Sequence, residues 1–185
     1  MDAEMQSIMK KQRIDKITVY KVSARLLSSG IITARPDVDV NGADLLAILR
    51  VQDGAKFARI QCKGRTLGSP KSKTTIEIRK SYVTGTFTLL LYLYCSFDST
   101  EHLLCFFADD IRTRNDLWKA HGKKYRLTLS ASNFRQRFDL FYFNESRFKA
   151  LTEIIQASDM DKEFHYVFGK VNLKKIDLTP ILLRK

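Results

Sequence analysis

Residues that build zinc sites and disulfide frameworks are scarce in this chain. It has 185 residues and three cysteines, Cys62, Cys95 and Cys105. That odd number, without a CxxC spacing, argues against both a disulfide scaffold and a cysteine-based metal knuckle. The histidines, His102, His121 and His165, are too scattered to form a zinc site. Only three prolines and eight glycines interrupt the sequence. There is no Pro/Gly-rich linker, internal repeat or low-complexity run, so a single domain is expected over residues 13–185, after a flexible N-terminus at 1–12. The longest apolar run, 87–95, is too short to cross a bilayer as a helix. The charged start MDAEMQSIMKKQRIDK has no signal-peptide centre. Together these absences predict a reduced, intracellular protein, cytoplasmic or nucleoid-associated, with no membrane partner.

Enough apolar residues are present to fill one core, at 44% of the chain. Lys and Arg outnumber Asp and Glu by 32 to 20, a formal charge of +12. An excess of this size suits a polyanionic partner, because each neutralised phosphate releases condensed counterions.

Apolar spacing predicts a helix over 14–28, with Gly30 as its C-terminal cap. Strand-like runs follow at 31–35, 44–51, 56–63, 74–80, 86–95 and 101–109, and again at 124–130. The turn Gln52-Asp53-Gly54-Ala55 joins the second and third of these as a hairpin. A short polar helix is expected over 112–119, and Asn144 is placed to cap a helix over 144–158. The last 25 or so residues read as a helical or strand extension. This order predicts an α+β (or α/β) fold with one central mixed sheet flanked by helices.

The stretch from Pro36 to Arg65 carries the candidate chemistry. Residues two apart on a strand share a face, so Gln61 and Lys63 project together while Ile60 and Cys62 point the other way. Counting outward from the hairpin turn brings Asp44 to the end of the strand pair where Gln61 and Lys63 sit. Phosphodiester hydrolysis uses a divalent ion to polarise the phosphate and acidify the attacking water. Asp44 offers a carboxylate, Gln61 an amide oxygen and Cys62 a backbone carbonyl, a set of oxygens suited to Mg²⁺ or Mn²⁺. Lys63 is placed to orient the nucleophilic water and stabilise developing charge. Asp39 reads either as a supporting acid or as a solvated loop residue.

The run Asn41-Gly42-Ala43-Asp44-Leu45-Leu46, then Ile60-Gln61-Cys62-Lys63 after a short interval, resembles the core of the PD-(D/E)XK nuclease superfamily. It is most similar to branches with Gln in place of the second acid, such as Mrr-like and Holliday-junction-resolvase-like endonuclease domains. The resemblance covers roughly residues 12–110. It implies a restriction-endonuclease-like fold, a DNA substrate (duplex or branched) and action as a homodimer. By position, Asp44 and Gln61 would be metal ligands and Lys63 the catalytic lysine. These families often carry a Glu on the preceding helix. Here that slot falls near Val19, and Asp15, one turn earlier, is the acid that could stand in.

Basic residues gather around the motif. Arg65, Lys71, Lys73, Arg79 and Lys80 follow it, and Lys123 and Lys124 come later, with Arg112, Arg114 and Lys119 nearby. The first seven are the candidates for nucleic-acid contact. The aromatics Phe87, Tyr92, Tyr94, Phe106 and Phe107, and likewise Phe141–Phe143, read as core, whereas Trp118 on the polar helix could face a partner. The leading expectation is a metal-dependent DNA endonuclease. Its rivals are a catalytically inactive nucleic-acid-binding module of the same fold and a protein-interaction component of a defence or counter-defence system.

Overall fold

The computed structural model describes residues 3–36, 41–52, 54–160, 162, 163 and 166, with side chains from residue 13 onward. In chain order the helices are α1 (Ala3–Ser28), α2 (Ala108–Thr113), α3 (Phe134–Arg137) and α4 (Glu145–Ala157). The strands are β1 (Ile32–Ala34), β2 (Leu45–Val51), β3 (Gly54–Leu67), β4 (Lys73–Arg79), β5 (Thr88–Cys95), β6 (Thr100–Phe107), β7 (Trp118–His121) and β8 (Lys124–Ser130). The fold class expected from the sequence, mixed α+β with a central mixed sheet flanked by helices, is the observed one. No helix among the described residues is long and apolar enough to cross a membrane.

The first helix is longer than its apolar spacing predicts, but it ends where expected. Gly30, at φ 85°, donates to the Leu27 carbonyl at 3.0 Å, and Ile31 donates to that of Leu26 at 3.0 Å. This Schellman arrangement satisfies carbonyls the helix leaves open, and its left-handed residue favours glycine. Ile31 is buried at once, and the chain enters β1. Later in the chain, Asn144 accepts from the Arg147 N–H at 3.1 Å, the N-cap its position predicts for α4.

The central sheet has the order β1-β2-β3-β5-β6. Every neighbouring pair in it is antiparallel except β3 and β5, which are parallel. Strand β3 changes partner at Ile60: residues 54–60 pair with β2, and 60–67 pair with β5. One face of this sheet is covered by α1 and α4, with Val22, Leu26, Leu151 and Ile155 packed on Ala58, Ile60, Cys62 and Leu90. The other face packs Leu89, Leu91 and Phe106 against Ile76, Ile78, Leu127, Leu129 and Trp118.

Those last residues belong to a second, three-stranded sheet, β4-β8-β7, where the sequence predicts only one. The polar helix expected over 112–119 is also replaced. Helix α2 ends at Thr113, and Trp118–His121 is a strand that returns into β8 through Gly122 and Lys123. The tertiary reason is Trp118, buried to 1% against Phe106. It is a core residue and faces no partner. The β2–β3 hairpin is tighter than expected, since Val51 pairs with Gly54, so its register is shifted by two residues. An even shift leaves every side chain on its expected face. Asp39 and the C-terminal extension beyond Tyr166 lie outside the described residues.

Candidate functional site

The site forms where β2 stops and β3 continues alone along that edge. The last rung is Leu45 with Ile60, and the Asp44 N–H then donates to the Ile60 carbonyl at 2.9 Å. Beyond this point two carboxylates take over the role of the missing strand. The Cys62 N–H donates to Asp44 Oδ2 at 2.7 Å, and the Gly64 N–H donates to Asp15 Oδ1 at 3.1 Å. The N–H and C=O of one strand residue point to the same edge, and alternate residues share an edge. The Cys62 carbonyl therefore lies on this edge between the two N–H groups. Along the strand these groups are about 6.6 Å apart.

Asp15 reaches β3 because residue 64 is glycine. A Cβ there would stand 2.7 Å from the Ile14 carbonyl oxygen and collide with the Thr18 hydroxyl, which itself donates to that carbonyl. Helix α1 thus lies against the bare backbone of β3, and Asp15 is lowered onto its edge. The helix position that the resemblance reserves for an acid is Val19, which packs against the α1 side of the core.

On the opposite face of β3 stand Gln61, Lys63 and Arg65. Gln61 is 6% exposed, and its Oε1 has no hydrogen-bond partner among the described residues. Gly42 and Tyr82 cover it, and a Cβ at Gly42 would meet Gln61 Nε2 at 3.1 Å and Tyr82 Cε2 at 2.7 Å. Burial of an amide oxygen without a donor costs free energy, so this oxygen is a marked position. Lys63 is half-buried and opens into a polar groove of about 630 Å³, lined also by Asp15, Arg65, Thr75, Glu77, Lys124 and Arg126.

Four charges act on the Cys62 thiol. Burial pushes its pKa up most, Asp44 and Asp15 push it further up, and Lys63 and Arg35 pull it down. Asp44, Asp15, Lys63 and Arg35 thus all lie within electrostatic reach of one point of β3. Arg65 is lowered by burial, with Asp15 opposing at 3.8 Å from its guanidinium. Among the described residues no three His, Cys, Asp or Glu side chains cluster as a metal site, so a metal here would draw on amide and backbone oxygens as well.

Of the basic residues singled out by sequence, Arg65 and Lys124 line the groove. Lys71, Lys73, Arg79, Lys80 and Lys123 are exposed outside its lining. Arg79 and Lys80 lie over the rings of Tyr82 and Tyr125. Arg112 and Arg114 are paired to Asp109 and Asp116, and Lys119 donates to the Asn115 carbonyl. Sequence reasoning misses Thr75, Glu77 and Arg126. The signal for them is the alternation in β4 and β8: Ile76, Ile78, Leu127 and Leu129 point inward, so Thr75, Glu77, Lys124 and Arg126 point out.

No family model matches the chain, and no curated protein matches it. Among solved structures it is similar to a bacterial homing endonuclease, I-Ssp6803I, at a TM-score of 0.46 and 14% identity, over 77% of this chain and 93% of that one. A likeness at this level bears on neither mechanism nor substrate.

Proposed function

We propose that the chain is a metal-dependent DNA endonuclease whose centre is the β3 edge and face at residues 61–64. The observation that carries this reading is the buried oxygen of Gln61, which has no hydrogen-bond partner among the described residues, beside an edge that already holds Asp44. Asp44, Gln61 and the Cys62 carbonyl would hold Mg²⁺ or Mn²⁺. Mg²⁺ takes few protein ligands, all oxygen, and keeps several waters, so this sparse hard-oxygen set fits it. When bound, the ion would polarise the phosphate and lower the pKa of an attacking water.

The chain's own groups have separate tasks. The Cys62 N–H orients the Asp44 carboxylate, and the Gly64 N–H does the same for Asp15, which stands in for the missing helix acid. The Lys63 ammonium donates to the attacking water and to a non-bridging phosphate oxygen. Arg65 and Lys124 hold the flanking backbone. A homodimer would supply one centre per strand of a duplex.

The test is cleavage of plasmid, linear and branched DNA with Mg²⁺, Mn²⁺ or EDTA. Cutting should require the metal and fall at least about 100-fold in Asp44→Ala and Lys63→Ala. Undiminished cutting in either variant, or in EDTA, would reject the assignment. A second reading, a nucleic-acid-binding module without cleavage, is favoured by Val19 at the helix-acid position. It predicts salt-dependent binding and no cutting under any condition.

A further inference from the structure

The outer face of the three-stranded sheet holds an anion position already filled from within the chain. Glu77 Oε1 accepts from Arg126 Nε at 3.0 Å and Nη2 at 2.6 Å, and its Oε2 accepts from Lys124 Nζ at 2.6 Å. A guanidinium fork and an ammonium around two oxygens is also how proteins grip a phosphate. The carboxylate is pulled down to about 2, chiefly by the Lys124 and Arg126 hydrogen bonds, so it stays ionised as a phosphodiester would. The same groove brings Lys63 and Arg65 from β3 to this cluster. Its charged lining is four cations, Lys63, Arg65, Lys124 and Arg126, against the two carboxylates Asp15 and Glu77, leaving a net positive trench.

We infer that this groove binds one phosphodiester strand, and that Glu77 is an internal phosphate mimic which the incoming strand displaces from Arg126 and Lys124. The assignment rests on the nucleic-acid reading above for the identity of the polyanion. The four cations line one groove, the arrangement that follows a single phosphodiester backbone. The strand runs from Lys63 at the candidate centre towards the outer face of β4 and β8, so the second sheet contributes the track along which substrate lies. Glu77 lowers affinity for any polyanion that cannot displace it, and holds the two cations in a binding geometry meanwhile.

The experiment is binding of a labelled single-stranded oligonucleotide in EDTA, over a series of salt concentrations, to wild type, Glu77→Gln, Arg126→Gln and the double variant. Thermal unfolding checks that each variant is folded. Glu77→Gln should bind more tightly at low salt, with the log–log salt slope steeper by about 0.7 for each cation released. Arg126→Gln should bind more weakly, with a shallower slope, and should remove much of the gain from Glu77→Gln in the double variant. If wild type binds but Glu77→Gln and Arg126→Gln bind just as it does, the groove assignment is wrong while the nucleic-acid reading stands. If wild type binds no oligonucleotide, single- or double-stranded, both fall.

Discussion

The two halves of β3 handle charge in opposite ways. In residues 54–60 the strand is laddered to β2 and carries Arg59, which is fully buried. Arg59 donates to Glu163 Oε2 at 3.1 Å and to the carbonyls of Tyr82 and Thr84, and it lies over the Tyr166 ring. Glu163 Oε1 in turn accepts from the Thr86 N–H at 2.8 Å. In residues 60–67 the strand is laddered to β5, and its other edge is left to Asp44 and Asp15. Its charged side chains, Lys63 and Arg65, are only half-buried and open to the groove. A fully desolvated pair must be satisfied internally or it destabilises the fold, whereas half-solvated charges can exchange partners at little cost. The first half anchors the strand, and the second leaves its charges available to a ligand.

Breaking the anchored half should have the largest effect. Glu163→Ala strands Arg59 in the core and should destabilise the protein by about 3–5 kcal/mol in urea unfolding. A loss below about 1 kcal/mol would mean that the pair is dispensable. Next comes the contact that joins the second half to α1. Gly64→Ala forces a methyl into the helix backbone at Ile14 and should cost about 1–3 kcal/mol. By displacing Asp15 it should also lower metal-dependent cleavage, and a variant as stable as wild type would show that α1 can yield. By contrast, Lys63→Ala should shift unfolding by no more than about 0.5 kcal/mol, while any cleavage should fall as proposed above. A large stability loss there would place Lys63 with Arg59 as a structural charge.

The smallest effect is on pH dependence in the open half. The Glu77 carboxyl is depressed from 4.5 to about 2 by its bonds to Lys124 and Arg126. Its contribution to stability is therefore complete above pH 4.5 and lost as pH falls towards 2, because the unfolded chain takes up the proton first. Wild type and Glu77→Gln should differ in melting temperature at pH 6 and converge over that acid range. A constant gap between them would show that the carboxylate is not held by these partners.

Much of the site was legible because its cues are local. Gly30 marked the helix end, Asn144 marked the start of α4, and alternation put Gln61 and Lys63 on one side of β3. The two-residue error in the hairpin register left those faces intact, so Asp44 still fell beside Gln61. Asp15 could be nominated only as a possible acid, since its contact depends on α1 resting on Gly64. Trp118 was misread because six polar residues in the eight of 112–119 outweighed one aromatic. Its burial against Phe106, on a strand distant in sequence, decided the matter.

By itself the sequence determined which residues share a face, where helices start and stop, and the positive charge that suits a polyanion. These follow from side-chain periodicity, capping chemistry and composition, which act over a few residues. Only the tertiary structure decided that β4, β7 and β8 form a second sheet, that β3 changes partner at Ile60, and that Glu77 meets Lys124 and Arg126 beside Lys63. Such pairings join segments far apart in sequence. They are chosen by burial of whole faces against one another, which no local pattern contains.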